Sequence, residues 1–234
     1  MSISVVIPTH NEAAHLPRLL SRLRAMPDIA QIIVADGGSH DATVAIARAA
    51  GAQVIEGARG RGPQQNLAAQ DASGEILWFL HADCLPSRTA SAQITRAAKA
   101  GAIGGNFRIH FAAHGLAPRL FEFIARVQRT HGIYYGDSGI WLKRDSWDAI
   151  GGFPDWLLFE DYAFVRQLEA RGKTACCAGR LQVSARRFAH QPWRVLWLWL
   201  ELQIRFRLGQ APDELARLYR VRSAAKVPVR PESA

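Results

Sequence analysis

Cysteine is scarce in this chain: three in 234 residues, two of them the neighbours Cys176 and Cys177. That count excludes a disulfide framework, and no C-x-x-C pair is present to start a zinc site. A reducing compartment, the cytoplasm, is the expectation. Long apolar runs are missing too. No stretch reaches the roughly 18 uncharged apolar residues of a membrane span. The opening MSISVVIPTHNE has no basic start and too short an apolar run for a signal peptide. Internal repeats are absent. What is present, 49% hydrophobic and 21% charged residues, is the composition of a folded domain and excludes a disordered chain.

The net charge is +9, and its distribution is uneven. From Arg180 onward there are eleven Lys/Arg against four Asp/Glu, so the first 179 residues carry only +2. A basic end suits phosphate-bearing partners such as a membrane surface, a nucleotide or a nucleic acid. General use of Arg as a surface residue produces the same balance. No helix-turn-helix or zinc signature accompanies it, so nucleic acid is not the expected partner.

Residues 3–7, ISVVI, form a short apolar run stopped by Pro8, the pattern of a buried strand. Leu16, Leu19, Leu20 and Leu23 predict an amphipathic helix, with Asn11 as its cap and Pro17 in an early turn. Strands follow over 31–35, 52–56 and 75–80, with a helix opened by Asp41 and stopped at Gly51 between the first two. A loop, GARGRGPQQ, then leads into a short helix. Strands separated by helices pair in parallel through right-handed crossovers, and their ligands gather beyond the carboxyl ends. Polar clusters stand at three such ends: Thr9-His10-Asn11-Glu12, Asp36-Gly37-Gly38-Ser39 and His81-Ala82-Asp83. One alone reads as a turn or helix cap; three converge in space by topology.

The later chain is less regular. A strand is expected over 104–111, a helix over 116–127, and a strand-like segment over 134–143 around Gly136-Asp137. A turn falls at 151–154, a helix opening on two acids runs over 160–171, and 181–184 is strand-like. An aromatic and basic helix over 193–208 and a short helix over 212–221 close the pattern. The expected organisation is a domain over 1–190, a helical extension over 191–222 and a tail over 223–234.

VVIPTHNE, VADGGSHDAT, ASGEILWFLHAD and GGFPDWLLFED, in this order and spacing, resemble a family 2 glycosyltransferase. The resemblance covers roughly residues 3–190. It implies an α/β fold of the GT-A type, Rossmann-like, with a mostly parallel sheet flanked by helices and here a C-terminal helical extension. It also implies an inverting enzyme with a nucleotide-sugar donor, a UDP-sugar in the typical case. Two departures stand out: the usual D-x-D is His81-Ala82-Asp83, and the usual D-D is Asp36-Gly37. The H-A-D form, the short length and the basic aromatic end are similar to a bacterial subgroup linked to arsenosugar biosynthesis.

The chemistry can be argued beside the resemblance. Breaking a sugar–phosphate bond builds negative charge on the leaving diphosphate, which a divalent cation stabilises. Mn²⁺ or Mg²⁺ wants oxygen ligands, so Asp83 at a strand end is the natural anchor. His81, two residues away, has three readings: a metal ligand favouring Mn²⁺, a hydrogen bond to phosphate, or a structural histidine. In the resembling family the residue matching Asp36 accepts a hydrogen bond from the nucleobase; an Asx turn with Ser39 is the other reading. The backbone of Pro8 and Thr9, Glu12, Gly37 and Ala82 complete the expected donor side, though Glu12 reads equally as a charge at a helix N-terminus. Arg61, with Arg59, either clamps the donor or is solvated. Glu160-Asp161 resembles the family's E-D motif, in which the Asp is the general base. Adjacent residues at a helix start point about 100° apart, so one acid faces the acceptor, and Asp161 is the expected one. The alternative is that both acids serve only the helix dipole. His190 is a candidate late metal or diphosphate ligand, or structural.

The 193–208 helix either covers the acceptor side or lies in an anionic membrane interface, where Trp and Arg are favoured. The acceptor is expected to be a hydroxyl on a small or lipid-linked molecule. The rival class is a non-catalytic sugar-nucleotide binder, because the H-A-D motif lacks its first acid.

Overall fold

Every residue of Ile3–Thr9 (β1) is buried, as a parallel strand covered on both faces requires. The computed structural model describes residues 1–113, 115–184 and 191–224. In it β1 pairs in parallel with Ile29–Asp36 (β2) and Ile76–Phe79 (β4), and β2 with Gln53–Glu56 (β3). The second half adds Cys84–Pro86 (β5), Gly104–Phe111 (β6), Trp141–Lys143 (β7) and Thr174–Val183 (β8). The eight strands form one mostly parallel sheet in the order β3-β2-β1-β4-β7-β6-β8-β5. The turn from parallel to antiparallel pairing falls at β4–β7, so the first 80 residues and the remainder meet beside β4.

Alternation along the strands sends side chains into two layers. Val5, Ile7 and Trp78 pack with Leu16, Leu19, Leu20 and Leu23 of Leu16–Arg24 (α1) and with Ile94 of Ala90–Lys99 (α4). Val6, Leu77 and Phe79 face Ala68 of Arg61–Gln70 (α3), Trp147 of Arg144–Ile150 (α6) and Phe164 of Glu160–Arg171 (α7). Thr43–Ala49 (α2) flanks the first half and Leu116–Thr130 (α5) the second. Pro192–Arg207 (α8) and Pro212–Ala224 (α9) bury Leu202, Leu215 and Ala216 against Leu158 and Phe159. Among the described residues no helix is long and apolar enough to cross a membrane.

Several expectations shift. Asn11 does not cap α1, which begins only at Leu16; at φ 56° its side chain instead accepts a hydrogen bond from the His40 N–H at 2.8 Å. The loop expected around Arg61 is already α3 from Arg61 onward, with Pro63 in the first turn, where a missing N–H leaves no intrahelical bond unmade. The 134–143 segment divides into a 3₁₀ turn at Gly136–Ser138 and the three-residue β7. β8 starts at Thr174, well before the apolar run at 181; its first half, Thr-Ala-Cys-Cys-Ala, is made of small residues and gave no strand signal. β5, α4 and α6 had no predicted counterpart: β5 is three residues long, and α4 buries one large side chain, Ile94, beside Ala90, Ser91 and Ala98.

β6 and β8 approach closely at Gly105, where a methyl group would lie 1.9 Å from the Ala175 carbonyl oxygen. Gly105→Ala must push these strands apart. We expect it to cost about 3 kcal/mol or more, at or beyond the upper end for overpacking a core, read as a lowered urea midpoint with unchanged slope.

Candidate active site

The carboxyl ends of β1 and β2 are tied by a buried turn. Asp36, 1% exposed, uses both oxygens there. Oδ1 accepts from Thr9 Oγ1 (3.0 Å) and Ser39 Oγ (2.6 Å), and Oδ2 accepts from the Gly38 and Ser39 N–H groups at 2.9 and 2.7 Å. Burial opposes its ionisation, but the Ser39, Thr9 and Gly38 donors outweigh it and hold the carboxyl below its ordinary value. Four donors fill a carboxylate's acceptor sites, so in this structure Asp36 anchors the turn, as its Asx-turn reading has it.

Gln64, which the sequence did not single out, completes this edge. Its buried amide donates to the carbonyls of Thr9 (2.9 Å) and Ala35 (2.7 Å). A methyl at Gly37 would lie 3.1 Å from Gln64 Nε2, so the glycine makes room for this amide. The loop after β1 is bound to the next one: Asn11 N–H donates to Ser39 Oγ and Glu12 N–H to Thr43 Oγ1, both at 2.8 Å. Pro8, Thr9, Glu12, Asp36 and Gly37 thus share one edge, as expected, though much of its polar chemistry is spent on itself.

The second cluster follows β4. One donor atom each from His81, Asp83 and Cys84 lies within 4.8 Å of the others. Cys84 is buried and its thiol contacts the Asp137 carbonyl at 3.8 Å, while the His81 imidazole and the Asp83 carboxylate line the adjoining cavity. That pair fits a borderline cation such as Mn²⁺ better than Mg²⁺, which prefers oxygen throughout. Ala82 is buried between them. His190 lies outside the described residues.

The third cluster opens α7. Glu160 is 2% exposed and Asp161 8%. Glu160 Oε1 accepts from Arg61 Nε at 2.8 Å, while its Oε2 is buried with no hydrogen-bond partner among the described groups. Burial raises the Glu160 carboxyl above its ordinary value; Arg61 counters this and the neighbouring Asp161 adds to it. Asp161 Oδ2 accepts from the Gly136 N–H at 2.8 Å, and Oδ1 from the Tyr162 N–H at 2.8 Å. A methyl at Gly136 would lie 3.1 Å from His81 Nε2 and 3.3 Å from Asp161 Oδ2. Gly136 is therefore the spacer where the second and third clusters meet. Arg61, His81, Asp83, Asp137 and Asp161 line one cavity of about 590 Å³, and Glu160 does not.

Removing Arg61 would leave a buried carboxylate unpaired. Arg61 is itself one-third exposed, so we expect Arg61→Met to cost about 3 kcal/mol at pH 8, the low end for breaking a buried pair. A group whose carboxyl is raised in the fold binds more protons folded than unfolded, so its charge penalty grows as pH rises through that raised value. The loss should therefore shrink toward pH 5, which urea titrations at the two pH values measure.

A glycosyltransferase of Haloferax volcanii, AglE, is 24% identical over 173 residues, 67% of this chain and 57% of that protein. An undecaprenyl-phosphate 4-deoxy-4-formamido-L-arabinose transferase of Aeromonas hydrophila is 30% identical over 157 residues, 60% of this chain and 48% of that one. The chain thus spans about half the length of these curated relatives. The fold is like that of a mannosyltransferase from Pyrobaculum calidifontis in complex with GDP-Man and Mn²⁺, with TM-score 0.66 and 20% identity over 94% of this chain and 69% of that one. The description Glycosyl transferase family 2 matches residues 4–187, which takes in all three clusters, and the chain belongs to that family.

Proposed function

We propose that this glycosyltransferase is an inverting, metal-dependent enzyme that moves a sugar from a nucleotide-sugar donor, a UDP-sugar, to a hydroxyl acceptor. The observation that carries the reading is the meeting of Asp161 with His81 and Asp83 on one cavity wall. The β1–β2 edge would receive the nucleoside through the turn that Asp36 holds and the backbone of Pro8 and Thr9. Arg61, its guanidinium favoured in the charged form by Glu160, Asp161 and Asp137 against the cost of partial burial, would face the diphosphate. Asp83 and His81 would hold the divalent cation, Mn²⁺ or Mg²⁺. When bound, that cation supplies positive charge to the leaving diphosphate.

Asp161 takes the acceptor's proton as the acceptor oxygen bonds to the anomeric carbon. The bond from that carbon to the phosphate oxygen breaks, and the nucleoside diphosphate leaves with the electron pair. Glu160 does not touch the acceptor; it positions Arg61. Residues 1–190 would form the transferase domain and 191–222 an extension on its acceptor side, with 223–234 as a tail. A cytoplasmic enzyme, peripheral at the inner face of the membrane, is the setting that the basic, aromatic α8 supports.

Two measurements test the reading. Asp83→Ala should abolish the Mn²⁺-dependent part of stabilisation by UDP, which at 100 times the dissociation constant is about 2.7 kcal/mol. His81→Asp should move the metal preference toward Mg²⁺. Adenosine and guanosine diphosphates in the same assay establish the base. Asp161→Asn should lower single-turnover transfer, or slow donor hydrolysis, about 10²–10⁴-fold with UDP affinity nearly unchanged. Intact UDP binding without turnover from the unmodified protein would make it a sugar-nucleotide binder.

A further inference from the structure

The 590 Å³ cavity is not the nucleotide edge. No residue before Arg61 lines it, so Thr9, Asp36 and Gly37 stand outside. It runs onto the other half of the molecule, between β6 and β8 on one side and α5 and α8 on the other. Its carboxylates are Asp83, Asp137, Asp161 and Glu122, the first three with His81 and Arg61 at the catalytic clusters. Away from these, Phe121, Ile124, Ala125, Leu196 and Trp199 line it together with Arg108, Arg126, Arg129 and Arg180. A sugar hydroxyl in water needs no such surface. Apolar side chains set among guanidinium groups suit an amphiphile that buries a chain and carries an anionic head.

The same two helices are apolar outside. On α5, Phe123 and Val127 are 57% and 44% exposed; on α8, Trp197 and Ile204 are 69% and 50% exposed. Leu116 and Leu120 extend the first stripe, Trp193 and Leu208 the second. Leu200 both lines the cavity and is 44% exposed, so the cavity is continuous with this outer surface. Gln128 Nε2 donates to Gln203 Oε1 at 3.0 Å and ties the helices together. Together α5 and α8 contain six arginines and two glutamates, and Arg119, Arg126, Arg194 and Arg207 are exposed. Apolar stripes set among arginines match an anionic lipid surface, where each cation near the headgroups adds about 1 kcal/mol.

We propose that this cavity takes the hydrocarbon chain of a membrane-borne acceptor, an isoprenoid or acyl lipid, while α5 and α8 rest on the bilayer. The chain enters past Leu200 and brings the accepting oxygen to Asp161. The proposal rests on the glycosyltransferase reading and narrows its acceptor to a lipid.

The test compares matched ligands with and without a chain on the full-length protein with UDP and Mn²⁺: farnesyl phosphate against inorganic phosphate, and dodecyl β-glucoside against glucose. Calorimetry should show at least about 100-fold tighter binding of each chain-bearing ligand, since each buried methylene contributes about 0.8 kcal/mol. Ala125→Trp fills the cavity and should erase that advantage while UDP affinity stays unchanged. Leu200→Asp, at the rim, should do the same and serves if the first variant fails to fold. Sedimentation with phosphatidylglycerol vesicles should fall at least tenfold for Phe123→Ser/Trp197→Ser. Equal affinities with and without the chain would overturn the proposal, as would a chain advantage that survives both cavity variants. A stable dimer whose formation hides Phe123 and Trp197 would give this face to a second copy and overturn it as well. Absence of UDP binding in the same samples would instead strike the glycosyltransferase reading, so the two failures are distinguishable.

Discussion

The pairing of Arg61 with Glu160 is the constraint on which the site depends. The partners lie 99 residues apart and start two different helices, α3 from the nucleotide half of the sheet and α7 from the other half. Each is unfavourable alone: a cation sits at the positive end of α3, and a carboxylate is buried with one oxygen unpartnered. Together they fix α3 against α7. The consequence for chemistry is directional. With Glu160 turned inward to Arg61, the next residue on the helix must point about 100° away, and Asp161 comes out on the cavity beside Gly136 and His81.

That orientation is also held from behind. Phe159, immediately before the pair, has φ 63°, a left-handed conformation that costs a bulky residue on the order of 1–3 kcal/mol. It persists because Phe159 is buried and stacks on Phe206 of α8 at 4.6 Å between ring centroids. Leu158, Leu202 and Leu215 complete the cluster. The α8 helix thus packs behind the acid pair. The sequence does not disclose this, because the strain at Phe159 is visible only as a dihedral angle.

What the sequence made legible follows the same division. Apolar periodicity located β1, α1, β6 and α7 to within a few residues, since their burial is continuous or strongly one-sided. The three strand-end clusters were legible because a parallel sheet collects strand ends. Their internal wiring was not. Asp36 bonds to Thr9, 27 residues away, as well as to its own turn, and only distance decides that the turn consumes its acceptor sites. Gln64 was silent because a glutamine in a short helix has no pattern; its role comes from lying over Gly37. Arg61 appeared as a loop residue because the Gly-Arg-Gly-Pro run reads as irregular, although its proline sits where a helix tolerates one.

The placement of polarity divides the two halves of the molecule. On the β1–β2 edge, the side chains of Asp36, Thr9 and Ser39 bond to one another and Gln64 bonds to the backbone of Thr9 and Ala35, so the surface is rigid before any ligand arrives and carries little ordering cost on binding. On the other half, Asp83, Asp137, Asp161 and His81 stand at one part of a cavity whose remaining lining mixes apolar side chains with arginines and whose helices expose apolar stripes. A rigid polar edge suits a ligand of constant shape, such as a nucleotide. A cavity that joins apolar side chains, arginines and carboxylates suits an amphiphile with its chain buried and one oxygen held. The fold keeps these demands apart, with β4 between them, and lets them meet only around Gly136, where the absence of a side chain leaves room for His81 and Asp161 together.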